Sequence, residues 1–220
     1  MIDKVVPTFD EAVADIESGA RVHLGGFVGA ADWPSYLIAA LARSGPRDLT
    51  VACCNMSGIG PDTLAGLSVE ERRGFTGLSH AGPDHVTVAL LVEQGQVRKG
   101  ITTFTAAMRG TLKSAFQSMY EAGCIELELV SQGTLSERIR AARAGIPAFY
   151  TPVGVGSSWA AQEETREFDG TTCVLEHALH ADFSLIRAAA ANRYGNLAWE
   201  HPIELQRHDG RRRHGHHRRG

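Results

Sequence analysis

The chain contains no apolar run approaching the roughly 18–20 residues that a helical membrane span requires, which excludes that class. No N-terminal stretch joins a basic start to an apolar core of roughly 7–15 residues, so no secretory signal is read and the cytoplasm is the expected compartment. Cysteine is scarce. Cys53, Cys54, Cys124 and Cys173 form no C-x-x-C pair and have no histidine at metal-ligand spacing. Neighbouring cysteines on a strand point to opposite faces, so all four are expected as reduced, mostly buried thiols, with no metal site. The glycines form neither G-x-G-x-x-G nor a Walker loop with its lysine, and no G-x-S-x-G elbow surrounds Ser157 or Ser158. No internal repeat is present.

What remains is 220 residues, 43% hydrophobic and 21% charged, the size of one soluble α/β domain with a small appendage. The net charge of −3 hides an asymmetry. Residues 207–220 hold six Arg and one Asp, a local +5, which leaves residues 1–206 at −8; four of the ten His also lie in this stretch. An acidic domain over 1–206 therefore carries a basic tail over 207–220, and the tail is expected to be disordered. Taken at face value such a tail suggests a nucleic acid or a metal.

Strands and helices alternate along the body. Thr8-Phe9-Asp10-Glu11 has capping-box form and predicts a helix through Ile16 that stops at Gly19. Arg21 to Leu24 reads as a strand ending in Gly25-Gly26-Phe27. Pro34 suits the first turn of a second helix that places Leu37, Ala40 and Leu41 on one face. The run from Asp48 to Cys53 is too apolar towards its end for a half-exposed strand, which places it inside a parallel sheet. Residues 55–84 show no clear period. Helices are predicted at about His85 to Glu93 and Thr111 to Glu121, strands at about Lys99 to Phe104 and Ile125 to Val130, and a further helix after Ser131-Gln132-Gly133-Thr134 through Ala144. Gly154 to Ser158 reads as a flexible loop, Asp169-Gly170 as a hairpin turn, and Asp182 to Ile186 as a last core strand. The expected fold is α/β: an open, mainly parallel sheet with helices on both faces.

Few residues offer chemistry. Glycines at the carboxyl end of a parallel strand let backbone N–H groups approach a ligand, which makes Gly25 and Gly26 candidates, although such pairs also serve as plain tight turns. Gln132 follows a strand and opens a helix. Its amide can donate to a developing oxyanion, assisted by the Gly133 and Thr134 N–H groups; the structural alternative makes Ser131 or Thr134 an ordinary cap and Gln132 a solvated loop residue. His177 and His180 beside Glu176 and Asp182 fit a partly solvated surface better than a metal site. No basic residue lies near Cys54 in sequence to lower its pKa.

Several segments in order carry a resemblance. Gly25-Gly26-Phe27 with Pro34, the run from Glu126 to Arg140, the run from Ala144 to Gly156, Arg166 to Gly170, Asp182 to Ile186 and Gly195-Asn196-Leu197 together make the chain similar to the A (alpha) subunit of family I CoA-transferases, the 3-oxoacid group with succinyl-CoA:3-ketoacid and 3-oxoadipate members. The likeness spans about residues 8 to 203. It implies a glutamate that attacks an acyl-CoA, forms a mixed anhydride, and becomes a glutamyl-CoA thioester before passing CoA to a second acid. That glutamate belongs to a B subunit, so neither Glu126 nor Glu128, which alternate with Leu127 and Leu129 along a strand, is assigned to the role. The resemblance implies Gln132 as catalytic oxyanion stabiliser and Gly25, Gly26, Phe27, Asn55, Gly133 and Thr134 as substrate-binding residues. It further implies no cofactor beyond coenzyme A as substrate, a heterotetramer with B subunits, a place in ketone-body metabolism, and no nucleic-acid or membrane partner. The chain departs from the family at His23, where an aliphatic residue is usual, at Pro34, one residue late, at Cys54 in place of the first Asn of a pair, and in the length of 55–84.

Two rival functions stay open at this point: a sugar-phosphate isomerase of a related fold class, which would act alone, and a nucleic-acid binder using the tail. Against the latter, family members continue with an Asn-Phe-Asn segment and an alanine-rich run. Permitted codons from Glu204 onward, shifted by one base, read Asn-Phe-Asn-Ala-Thr-Met followed by an alanine run. The tail is therefore read as a frameshift product and the fold as C-terminally truncated; the gene's codons decide this.

Overall fold

A computed structural model describes residues 3–26, 33–58, 65, 86–106, 113–161 and 163–198. Phe27, most of the 55–84 segment and the tail over 207–220 lie outside the described residues. Helix α1 spans Phe9–Val13, and the Thr8 hydroxyl accepts from the Glu11 N–H at 3.1 Å, the threonine half of the expected box. It is shorter than predicted: Ile16 lies past its end, in a turn closed by its N–H on the Val13 carbonyl, and is buried there all the same. Strand β1 is Arg21–Leu24. Helix α2, Ser35–Ser44, begins after Pro34 as N-cap and ends at Gly45, whose φ of 76° supplies the left-handed residue such ends favour.

Strand β2 is Leu49–Asn55, α3 is Ala89–Glu93 and β3 is Val97–Phe104. Helix α4, Ala115–Glu121, starts later than the expected Thr111 because Ser114 and Gln117 form a reciprocal capping box that fixes its first turn. Strand β4, Glu126–Leu129, leads directly into α5, Gln132–Ala144. Strands β5 (Ala148–Thr151), β6 (Thr165–Phe168) and β7 (Thr171–His177) follow, then β8 (Phe183–Leu185), β9 (Ala190–Ala191) and β10 (Leu197–Ala198).

Five strands form one parallel sheet in the order β4-β3-β2-β1-β8. Beside it stand an antiparallel sheet β5-β7-β6 and the small β9–β10 pair. The hairpin predicted at Asp169-Gly170 joins β6 to β7, and positive φ at both positions (49° and 76°) marks the turn type whose twist suits flanking strands. Strands β5, β9 and β10 were not expected from the sequence.

Side chains alternate across β2 as a pleated strand requires. Leu49, Val51 and Cys53 join Val13, Leu37, Ile38, Leu41, Leu91, Val92 and Phe116 in a core beneath α1, α2, α3 and α4. Ala52 faces the other way, into a smaller cluster with Ile101, Val130, Leu135, Ile139 and Leu179 beneath α5. Helices therefore cover both faces, and β2 is buried on both because it lies at the middle of the sheet. Among the described residues no helix is long and apolar enough to cross a membrane.

Gly100 sits mid-strand in β3 where α4 approaches. A β-carbon there would overlap the Phe116 ring and come within 2.6 Å of Met56 Sδ. Gly100→Ala is expected to destabilise the fold by about 1–3 kcal/mol, as overpacking of a filled core does. Denaturant unfolding measures it, and an unchanged midpoint would contradict this close approach.

Candidate active site at the carboxyl edge of the parallel sheet

A parallel sheet delivers the turn after every strand to the same edge. Here that edge receives Gly25-Gly26 from β1, Asn55 from β2, Phe104 from β3 and Ser131-Gln132 from β4. The chain builds outward from β1 to β4 in one direction and then returns to place β8 on the opposite side of β1. Open α/β sheets bind ligands at such a reversal, and Gly25-Gly26 lies on it. The Gly25 N–H donates to the Leu185 carbonyl of β8 at 2.7 Å, and Gly26 adopts φ 127°, a conformation that side chains other than glycine's rarely adopt.

Asn55 ends β2. Its Oδ1 accepts from the Ser57 N–H at 2.7 Å, which fixes the amide and leaves Nδ2 as the group offered outward; no partner for Nδ2 occurs among the described residues. Two strands away, Ser131 caps α5. Its hydroxyl accepts from the Thr134 N–H and donates to Thr134 Oγ1 at 2.8 Å. Of the two readings open for Thr134, the cap is the one its contacts describe: its N–H is held by the Ser131 hydroxyl and the residue is buried. Gln132 and Gly133 remain exposed at the first turn of a 13-residue helix, and the Gln132 amide has no hydrogen bond to any described residue. With strands about 4.8 Å apart, β4 lies about 10 Å from β2 and about 14 Å from β1 across the sheet. These groups can hold separate parts of one extended ligand, not a single atom.

Behind the edge, on the α5 face, lies an ion cluster. Lys99 Nζ meets Glu128 Oε2 at 2.6 Å, Arg138 meets Glu128 Oε1 at 2.7 Å, and the Arg138 Nε–H donates to the His177 carbonyl at 2.8 Å, with Glu176 Oε2 at 3.7 Å. Burial alone would raise the Glu128 carboxyl, but hydrogen bonds from Lys99 and Arg138 outweigh it and hold the group below its ordinary range. For Glu176, burial dominates over the attraction of Arg138, and Glu163 and Glu128 add repulsion, so its carboxyl is raised. Glu126 is engaged by Arg98 at 3.1 Å. Neither strand carboxylate is therefore a free nucleophile.

The thiols offer none either. Burial pushes both Cys53 and Cys54 upward, with a Thr103 hydrogen bond only partly opposing it at Cys54. All four cysteines are free, and Cys124 alone is exposed. The Ser157 hydroxyl donates to the Gly154 carbonyl at 2.5 Å. His177 ends strand β7, and among the described residues no three His, Cys, Asp or Glu are grouped to hold a metal ion. The Lys99–Glu128–Arg138 cluster is what sequence reasoning missed. Its members lie 29 and 10 residues apart, and only the pairing of β3 with β4 and the return of α5 bring them together.

The chain matches the coenzyme A transferase family over residues 6–76 and 71–209, and it belongs to that family. It is 40% identical over 199 residues to the A (alpha) subunit of the 3-oxoadipate CoA-transferase of Pseudomonas putida, covering 90% of this chain and 74% of that protein. To the A (alpha) subunit of the probable succinyl-CoA:3-ketoacid coenzyme A transferase of Mycobacterium bovis it is 36% identical over 218 residues, covering 91% and 75%. It is thus a CoA-transferase chain of the A (alpha) type. Among solved structures, glutaconate coenzyme A-transferase from Acidaminococcus fermentans gives a TM-score of 0.68 at 20% identity, covering 92% of this chain and 62% of that one. The decarboxylase AibA/AibB gives 0.66 at 23%, covering 90% and 68%. These two share the fold with different chemistry, so the fold alone does not choose a reaction.

The two carboxylates of the cluster respond oppositely to pH. Glu128, with its folded value lowered, stabilises the fold above the unfolded carboxylate range and loses that contribution as pH falls through its folded value. Glu128→Gln should cost about 1.5–3 kcal/mol at neutral pH, and the difference should vanish in acid. Glu176, with its folded value raised, favours folding more as pH falls through that value, so Glu176→Gln should leave neutral stability unchanged or higher. Denaturant titrations across pH measure both, and equal losses from the two variants would contradict this assignment.

Proposed function

We propose that this chain is the A (alpha) subunit of a cytoplasmic heterotetrameric CoA-transferase that moves CoA between an acyl-CoA and a carboxylic acid of the 3-oxoacid type, as in ketone-body metabolism. A B subunit supplies the nucleophilic glutamate. The observation that carries the reading is the exposed Gln132 amide at the first turn of α5, at the carboxyl edge of the parallel sheet and without a partner among the described residues. The names of the relatives support it, since both are A (alpha) subunits of 3-oxoacid enzymes. The engagement of Glu126 and Glu128 by cations also agrees with a nucleophile drawn from another chain.

The partner's glutamate attacks the thioester carbonyl carbon, and CoA thiolate leaves as the mixed anhydride forms. Thiolate then attacks the glutamyl carbonyl, releasing the first acid and leaving glutamyl-CoA. A second carboxylate attacks that thioester, expelling CoA thiolate and forming a second mixed anhydride; the thiolate then attacks the second acid's carbonyl carbon, giving the new acyl-CoA and releasing the glutamate. Each tetrahedral step places negative charge on an oxygen. A neutral amide such as Gln132 stabilises that charge without binding the free acid as a permanent ion pair. Asn55, two strands away, and the Gly25-Gly26 turn beyond it would hold the remainder of the acyl group, with no bound cofactor and no metal required.

The isomerase alternative needs an internal acid or base acting alone. Co-expression with a family B subunit should give 3-oxoacid-dependent loss of succinyl-CoA, while this chain by itself should give none; turnover by this chain alone would overturn the proposal. In the active pair, Gln132→Ala should lower kcat by about 10- to 1000-fold. An unchanged kcat would remove Gln132 from the oxyanion.

A further inference from the structure

We infer that Arg138 is a positioning residue for Gln132, a clamp across the β4–α5 turn that fixes where the first turn of α5 stands over the sheet edge. The inference rests on the role proposed above for Gln132. Helix α5 is the helix described on its face of the sheet, and its apolar footing is small: Leu135, Ile139 and Ala141, beside Ala52, Ile101, Val130 and Leu179. Such a stripe attracts the helix to the sheet without defining its position along it. A slip of one residue moves a helix by about 1.5 Å and turns it by about 100°. At the N-terminus that displacement would carry the Gln132 amide off the edge.

Polar contacts converging on one side chain supply the missing definition. The Arg138 side chain is 12% exposed although it carries a full charge. One guanidinium nitrogen donates to Glu128 of β4 at 2.7 Å, while Nε donates to the His177 carbonyl at the end of β7 at 2.8 Å. The backbone carbonyl of Arg138 accepts from the Leu179 N–H at 2.9 Å. Glu128 is itself held from β3 by Lys99 at 2.6 Å. Residue 138 therefore ties α5 to both sheets.

The spacing matters as much as the bonds. Glu128 lies four residues before Gln132 and Arg138 six after it, so their ion pair closes a short loop of chain containing the whole turn. A planar fork serves two acceptors in different directions at once, which a lysine ammonium on a flexible stem does less rigidly. Reacting geometry is steep in distance, a misplacement of about 1 Å costing up to about 100-fold in rate. The clamp thus acts on turnover through Gln132 without touching substrate.

The test is a double-mutant cycle on the assembled two-subunit enzyme with Arg138→Met, which keeps an apolar stem in place, and Gln132→Ala. Arg138→Met should lower kcat by about tenfold or more with KM held within about twofold, yet change kcat by less than about twofold when Gln132 is already Ala. Arg138→Lys should recover part of the loss. Additive losses in the cycle, or an unchanged kcat in Arg138→Met, overturn the clamp. Should Arg138→Met fail to assemble, Glu128→Gln enters the same cycle with the same expectation. Hydrogen exchange on this chain gives a readout independent of activity: amides 134 and 135, which Ser131 holds, should exchange faster in Arg138→Met than in the native chain, with 141–144 little changed. Uniform change along α5 overturns the inference even where no CoA transfer is seen. Absence of transfer in the unmutated pair counts against the proposed function alone.

Discussion

Five strands running in one direction oblige the chain to cross a face of the sheet after each of them, and every such crossing begins at the same edge. That constraint organises the molecule. It explains why residues as distant in sequence as Gly25, Asn55 and Gln132 share one border, and why β2, at the middle, is apolar on both faces. It also explains why the chemistry on offer at this border is made of backbone N–H groups and side-chain amides. Strand ends and helix starts expose donors, whereas the charged residues of β3 and β4 pair with one another behind the edge.

The elements that could be read from sequence were those whose signals are local. Arg21–Leu24, the Asp169-Gly170 hairpin and the start of α5 at Ser131-Gln132 depend on residues within a few positions of one another, and the structure has them where the pattern placed them. Strand β5 is not legible because Ala148–Thr151 lacks alternation, all four residues being half-buried, and the strand it pairs with, β7, arrives later in sequence. The β9–β10 pair is two residues wide and owes its form to the turn at Gly195. Helix α1 ends at Val13 because the chain beyond it tightens into three-residue turns, the Ile16 N–H closing on the Val13 carbonyl, even though Ile16 still packs inward.

The candidate site divides in the same way. Glycine at a strand end and a glutamine at a helix start are visible as residue types in a local context. Thr134 illustrates the limit: its place in the turn allows a ligand contact or a helix cap, and the sequence does not reveal that the Ser131 hydroxyl holds its N–H. Arg138 and Lys99 could not be found by spacing, since their meeting at Glu128 is a property of strand order. Membership of the coenzyme A transferase family gives the class of reaction, while the placing of donors along the edge follows from this order of strands and helices.

Strand β4 ends the parallel sheet and, among the described residues, has a neighbouring strand on one side only. Its Leu127 packs inward towards the main core, so sliding the strand by a single residue would exchange that leucine for a glutamate. Sliding by two keeps the faces correct, and there the charges decide. Arg98 and Lys99 meet Glu126 and Glu128 in succession, and a displacement of two residues in either direction deprives one of these cations of its carboxylate. The two glutamates thus work as a key to strand alignment.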